Sequence, residues 1–323
     1  MMMAIARARR RLAATHLSDE FVERLLLLAA LSAVSTLALI TLFILREGLP
    51  VVIDRGPLEF LAGEKWAPTR GHFGLLPMIA GTAAVTAGAL VIGLPLGLAG
   101  AITLAELAPP KVRLILKPTV ELLAGIPSVV YGFIGMEILI PLIRDGGALG
   151  GPGYSALAAS IILGIMVLPT IIGISIDALE AVPKSYRDGS RALGATQWQT
   201  ITGVVLPAAR NGIVAAVILG MGRAVGETMA VIMVAGNAVQ FPDSMLAPVR
   251  TLTANIALEM SYASGAHAEA LFATGIVLFV VSLSLNALAG RVRAVRRKFP
   301  KRGTGAGGEA QTLAANALPA SAR

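Results

Sequence analysis

Leu25–Leu45 reads LLLLAALSAVSTLALITLFIL, an apolar run without a single charged side chain. At about 1.5 Å per residue, a helix of that length crosses a hydrocarbon core of roughly 30 Å. Arg7, Arg9, Arg10 and Arg11 precede the run and no small-residue cleavage site is evident, so it reads as an uncleaved first span behind a basic arm, residues 1–24. Composition agrees: with 55% hydrophobic and 14% charged residues and a mean hydropathy of +0.76, the chain holds too little polar surface to cover a soluble globule. Its 35 Gly and 18 Pro suit closely packed membrane helices, and the long apolar runs lack the alternation of a β-barrel. The absence of Cys excludes disulfides and thiolate sites, and the 3 His are scattered without metal-ligand spacing, so no metal or cofactor is expected in this chain. The net charge of +8 sits in basic residues that flank apolar runs without aromatic platforms, which argues for membrane topology and against nucleic acid.

Further spans are expected at Leu76–Ile102, Pro118–Ile143, Ser155–Ile176, Pro207–Ala235 and Ala268–Gly290. The fold class is therefore all-α, with a six-helix transmembrane domain over residues 25–290. Most Lys and Arg fall in the N-terminal arm, the Ala105–Lys117 loop, the Asp177–Leu206 loop and the C-terminal tail. The positive-inside rule then favours both termini in the cytoplasm. In the tail, residues 291–323, a basic stretch from Arg291 to Arg302 reads as an anchor near anionic lipid, and the Gly/Ala-rich remainder reads as disordered.

Four objects carry functional information. In the 177–206 loop, Pro183 opens a helix that Gly194 ends, and Thr196 with Gln199 makes a capping box for a second short helix leading through Leu206 and Pro207 into the next span. Helix, glycine turn, helix is a knob suited to a groove on a soluble partner. An ordinary interfacial hairpin is the alternative.

Second, R-A-V-G-E places Arg223 and Glu227 one turn apart in the fifth expected span, projecting from one face. Burying either charge alone costs about 2.5–3.5 kcal/mol on insertion scales, so each needs a partner or a polar cavity. A closed ion pair would satisfy that need. So would an anion path in which the Arg223 guanidinium forks onto phosphate oxygens and Glu227 accepts a hydrogen bond from a phosphate that keeps a proton, which sulfate lacks. Third, Gly125, Pro127 and Gly132 loosen the third span, with Ser128 and Tyr131 on one face, lining a path or merely packed at a kink. Gly93 and Gly97 form a packing pair in the second span. Fourth, Thr251, Asn255 and Glu259 form a polar stripe, either lining an outer mouth or facing solvent.

The stretches WAPTRGHFGLLPMIAGT (Trp66–Thr82), ELLAGIPSVVYG (Glu121–Gly132), RAVGETMAV (Arg223–Val231) and TLTANI (Thr251–Ile256) together resemble the PstC family, permeases of the bacterial phosphate-specific ABC transporter. The spacing from Asp188 to Pro207 is similar to the EAA loop of importer permeases, with Asp188, Gly189 and Ser190 in place of Glu-Ala-Ala. The resemblance implies a type I importer fold and no catalytic residues in this chain. It implies a PstA-like sister permease, a PstB-like ATPase dimer and a PstS-like periplasmic phosphate-binding protein as partners. Arg223 and Glu227, with Ser128, Tyr131, Thr251 and Asn255, are the expected substrate path. Asp188, Gly189, Ser190, Gly194, Leu206 and Pro207 are the expected ATPase contact. The chain has no G-x-x-x-x-G-K-[ST], so ATP hydrolysis would belong to a separate subunit. A permease for sulfate or molybdate and an ion-coupled carrier without an ATPase are the competing readings.

Overall fold

A computed structural model describes residues 2–145 and 151–294, with side chains described for residues 21–145 and 151–291. The proposed lipid anchor and tail beyond residue 294, and the arginine side chains of the N-terminal arm, lie outside the described residues. The helix α1 spans Met2–Arg55, followed by the short α2 (Pro57–Ala62) and a two-stranded antiparallel hairpin, β1 (Trp66–Ala67) and β2 (His72–Phe73), with Trp66 opposite Phe73. Next come α3 (Leu76–Ile102), α4 (Pro110–Ala124), α5 (Ser128–Ile134), α6 (Ile140–Asp145) and α7 (Ala156–Glu180). The knob helices α8 (Lys184–Ala192) and α9 (Gln197–Thr200) precede α10 (Leu206–Gly226), α11 (Met229–Val234), α12 (Leu252–Glu259) and α13 (Ala266–Ala294).

Five of these helical stretches are long and apolar enough to cross a membrane, and a sixth arises if the bent pair α4 and α5–α6 counts as one span. The expected second and fourth spans coincide with α3 and α7, whose N-cap Ser155 accepts a hydrogen bond from the Ala158 amide at 3.2 Å. The first helix outruns Leu25–Leu45 at both ends, continuing through the charged residues Arg46, Glu47 and Asp54 to Arg55.

Two expected spans need correction. The third is not one loosened helix over Pro118–Ile143: α4 ends at Ala124 and the chain turns by 92° before α5. Pro127 cannot donate a backbone hydrogen bond and disfavours helical backbone at Ile126, so α4 cannot continue through it. The fifth does not run unbroken to Ala235, because α10 stops at Gly226 and α11 starts afresh at Met229.

The core follows α7. Toward the hairpin end, Leu163, Met166 and Val167 pack with Val85 and Ala89 of α3, Tyr131 and Ile140, and Val231 and Val234 of α11. Toward the knob end, Ile176 and Leu179 pack with Ala101, Leu104, Ile201 and Val205. The glycine pair of α3 lies in the α3–α7 seam: a Cβ on Gly93 would meet Val167 Cγ2 at 2.8 Å and the Gly164 carbonyl at 2.9 Å. The backbones therefore approach as closely as small-residue packing predicts. Gly93→Val is expected to lower stability by about 1–3 kcal/mol through overpacking, read as a lower thermal midpoint of the purified complex in detergent.

Candidate functional site

Arg223 stands in the last turn of α10, exposed on this chain. Its Nη1 donates to Thr170 Oγ1 at 3.3 Å. Thr170 lies near the middle of α7, which places the guanidinium near mid-membrane depth. Glu227 does not continue the Arg223 face. It is the first residue past the helix, with extended backbone (φ −69°, ψ 133°), so the expected shared face is corrected. No ion pair joins Arg223 to Glu227 among the described residues. Instead, Glu227 Oε1 accepts from the Ala230 amide at 3.3 Å, in the first turn of α11. The Glu227 carbonyl accepts from Thr253 Oγ1 at 2.8 Å. Among the described residues the Arg223 fork has Thr170 as its hydrogen-bond partner, while the carboxylate is turned to the next helix.

Tyr131 joins this neighbourhood. It is buried, its hydroxyl donates across the bend to the Leu123 carbonyl at 2.9 Å, and it belongs to the same core cluster as Ala224, the neighbour of Arg223. Ser128, half-buried, opens α5 beside it. The brace at the bend and the last turn of α10 therefore meet in one core cluster through Tyr131 and Ala224.

Thr251 and Asn255 do not. Thr251 is the N-cap of α12 and accepts from the Ala254 amide at 3.3 Å; Asn255 Oδ1 accepts from Arg250 Nη1 at 3.1 Å. Thr251, Asn255 and Glu259 are all buried, so neither the outer-mouth nor the solvent-facing reading of their stripe holds. The physical reason is a clamp that sequence spacing does not reveal. Glu259 Oε1 accepts from Arg250 Nη1 at 2.5 Å, and Oε2 accepts from Trp66 Nε1 at 2.8 Å and contacts His267 Nε2 at 2.8 Å. Burial raises the Glu259 carboxyl, but the donors Trp66, His267 and Arg250 outweigh it and hold the pKa below its ordinary 4.5.

The knob forms as the sequence predicts. Gly194 follows α8 at φ +87°, a conformation that L side chains resist. The capping box is complete: Gln199 amide donates to Thr196 Oγ1 at 3.3 Å and Thr196 amide to Gln199 Oε1 at 2.9 Å. Asp188 and Gly189 are exposed on α8; Ser190 Oγ shares a 3.0 Å hydrogen bond with Thr200 Oγ1. Leu206 packs on the knob-end core and Pro207 occupies the first turn of α10. Leu193, 90% exposed, crowns the knob beside exposed Tyr186 and Trp198.

Sequence reasoning missed the knob's tether. Arg187 donates to both oxygens of Glu106, at 3.2 and 2.6 Å, and to the Val182 and Leu179 carbonyls at 2.6 and 2.8 Å. Gln197 adds a bond to the Glu106 carbonyl at 2.8 Å. A planar guanidinium gripping one carboxylate bidentately, here largely buried, fixes the knob to the end of α3. The only sequence signal was two opposite charges beside adjacent spans.

A family model described as "Binding-protein-dependent transport system inner membrane component" matches residues 93–297. The chain is 45% identical over 287 residues to the probable ABC transporter permease protein YqgH of Bacillus subtilis, covering 87% of this chain and 92% of that protein. It is 36% identical over 288 residues to the phosphate transport system permease protein PstC of Mesorhizobium japonicum, covering 81% and 88%. Among solved structures, a bacterial ABC transporter involved in alginate import superposes with a TM-score of 0.58 at 17% identity, covering 88% of this chain and 100% of that one. The MetNI methionine ABC transporter gives 0.51 at 24% identity, covering 74% and 98%. These two structures share the fold.

The Glu259 clamp carries a pH prediction. Because the folded pKa is depressed, its stabilisation is fully present above the unfolded value near 4.5 and is lost as pH falls through the lower folded value. Glu259→Gln should lower stability at neutral pH by about 1–3 kcal/mol, since the part-buried Arg250 keeps the Asn237 carbonyl and Asn255 Oδ1 but loses its counter-charge. It should also flatten the acid limb of a stability-versus-pH curve, read by thermal unfolding.

Proposed function

The chain belongs to the family of binding-protein-dependent transport system inner membrane components, the type I ABC importer permeases, and from that premise we propose that it carries inorganic phosphate into the cell. The observation that carries the reading is the Arg223 guanidinium, held near mid-membrane depth on an exposed face with Thr170 as its hydrogen-bond partner. A planar cation with unused donors matches phosphate oxygens in a way that an ammonium does not. The relatives named PstC, 34–36% identical over most of this chain, support phosphate over other anions.

In this reading Arg223 is the main anion contact and Tyr131 and Ser128 shape its surroundings. Glu227 ends the helix and leaves Oε2 to accept a hydrogen bond from protonated phosphate. A PstA-like permease completes the path by covering the face that bears Arg223. A PstS-like periplasmic protein delivers the anion at the hairpin end, and both termini lie in the cytoplasm with the knob. Hydrolysis is performed by a PstB-like ATPase dimer. The knob suits a groove on that ATPase: its apolar crown of Tyr186, Leu193 and Trp198 is exposed, and Arg187 and Glu106 brace it so that a push reaches α3 and α10. No covalent intermediate is required. The chain binds, orients and releases the anion as its helices move.

Two measurements in vesicles containing the co-expressed complex test this. Arg223→Lys is expected to reduce ATP-driven phosphate uptake at least tenfold at unchanged complex yield, and Arg223→Ala to abolish it; uptake surviving in Arg223→Ala removes the anion-site reading, and sulfate or molybdate outcompeting phosphate reassigns the substrate. Gly194→Val, forced into a left-handed conformation at a cost of about 1–2 kcal/mol, is expected to hydrolyse ATP without proportionate uptake. Normal coupling in that variant removes the proposed role of the knob.

A further inference from the structure

The T-L-T-A-N-I stretch is the one conspicuous motif that the anion site and the knob leave without a role. Its residues Thr251 to Asn255 are buried, and one side chain reaches out of it to the broken helix: Thr253 Oγ1 donates to the Glu227 carbonyl at 2.8 Å. That carbonyl lies where α10 has stopped and the backbone has become extended, so it has no place in a helical ladder. In a non-aqueous setting it needs a donor, and the donor chosen decides which way the chain leaves the helix.

The hydroxyl is itself held in place. Thr251 Oγ1 shares a 3.1 Å hydrogen bond with Thr253 Oγ1, and the Leu252 amide donates to Thr82 Oγ1 of α3 at 3.0 Å. A Cβ on Gly81 would lie 2.5 Å from the Arg250 carbonyl, so α3 and the start of this segment are pressed backbone to backbone. Arg250 is then fixed from its other end by Glu259, which Trp66 and His267 also hold. Thr253 therefore cannot follow the end of α10 if that end moves. The end of α10 must register on Thr253.

We infer that Thr253 is a positioning residue for transport: by holding the Glu227 carbonyl it fixes the last turn of α10 and so the place at which Arg223 presents its guanidinium. The inference rests on the anion-site reading of Arg223. The hydroxyl acts through backbone, one turn from the cation, and touches no substrate. Its second consequence is to leave the Glu227 side chain free to swing to the Ala230 amide and start α11, which keeps the carboxylate off Arg223.

Valine replaces the hydroxyl of threonine by a methyl, and serine keeps the hydroxyl while losing the methyl, so the two substitutions separate positioning from packing. In vesicles with the co-expressed complex, Thr253→Val is expected to cut phosphate moved per ATP hydrolysed about tenfold, the equivalent of one lost hydrogen bond. Thr253→Ser is expected to restore it to near the unmodified ratio. The reverse order, equal losses in both, an unimpaired Thr253→Val, or a Thr253→Val that fails to assemble while Thr253→Ser assembles would each overturn the role. Arg223→Lys measured alongside keeps the two claims apart. Loss there with normal Thr253→Val removes only the positioning role, whereas normal uptake there removes the anion site on which it was built.

Discussion

In a hydrocarbon medium a backbone amide or carbonyl that leaves a helix has no water to turn to, and this permease interrupts two of its membrane helices. Everything distinctive about the structure answers that constraint. At the first interruption, the Leu123 carbonyl at the end of α4 is met by the Tyr131 hydroxyl, and Gly125 and Ile126 close back onto Leu122 and Leu123. At the second, the Glu227 carbonyl is met by Thr253, and the first turn of α11 is met by the Glu227 carboxylate. Each break is stitched by side chains that would be idle in an unbroken helix.

The stitching explains why so many polar groups are buried. Thr82, Thr251, Thr253, Asn255 and Glu259 form a small polar interior between α3 and α12, with Arg250 as its cation. A buried ion pair of this kind contributes little on balance, because desolvating both charges offsets most of their attraction; removing one partner is what costs. Its service is geometric. The pair ties α12 to Trp66 in the β1–β2 hairpin, so the break in α10 and the hairpin are linked through one bonded patch.

At the opposite end the solution is similar but its purpose differs. The knob is built from local signals, a capping box and a left-handed glycine, and would dangle without Arg187. Gripping Glu106 and two carbonyls, that side chain makes the knob an extension of α3 and α7. The tether joins the knob to the segment that follows α3 and to the last turn of α7. Between the two ends runs the α3–α7 seam, where glycines bring the backbones close and leave little room for one helix to slide without the other.

The sequence by itself determined the class of protein, the second and fourth spans, the knob with its Thr196–Gln199 cap, and the presence of Arg223 in a place where a cation needs a purpose. These are local properties: a hydrophobic run, a capping pair and a glycine act within a few residues of themselves. Tertiary structure alone showed that Arg223 and Glu227 part company, with the Glu227 carbonyl, just past the end of α10, bonded to Thr253, 26 positions along the chain. It alone decided that Thr251, Asn255 and Glu259 are interior, packed where distant elements meet: Thr82 receives the Leu252 amide, 170 positions away, and Trp66 bonds Glu259, 193 positions away. It also decided that Arg187 grips Glu106 across 81 positions. Helical spacing gives the faces of an uninterrupted helix, and where a distant side chain interrupts it, spacing no longer says which groups meet.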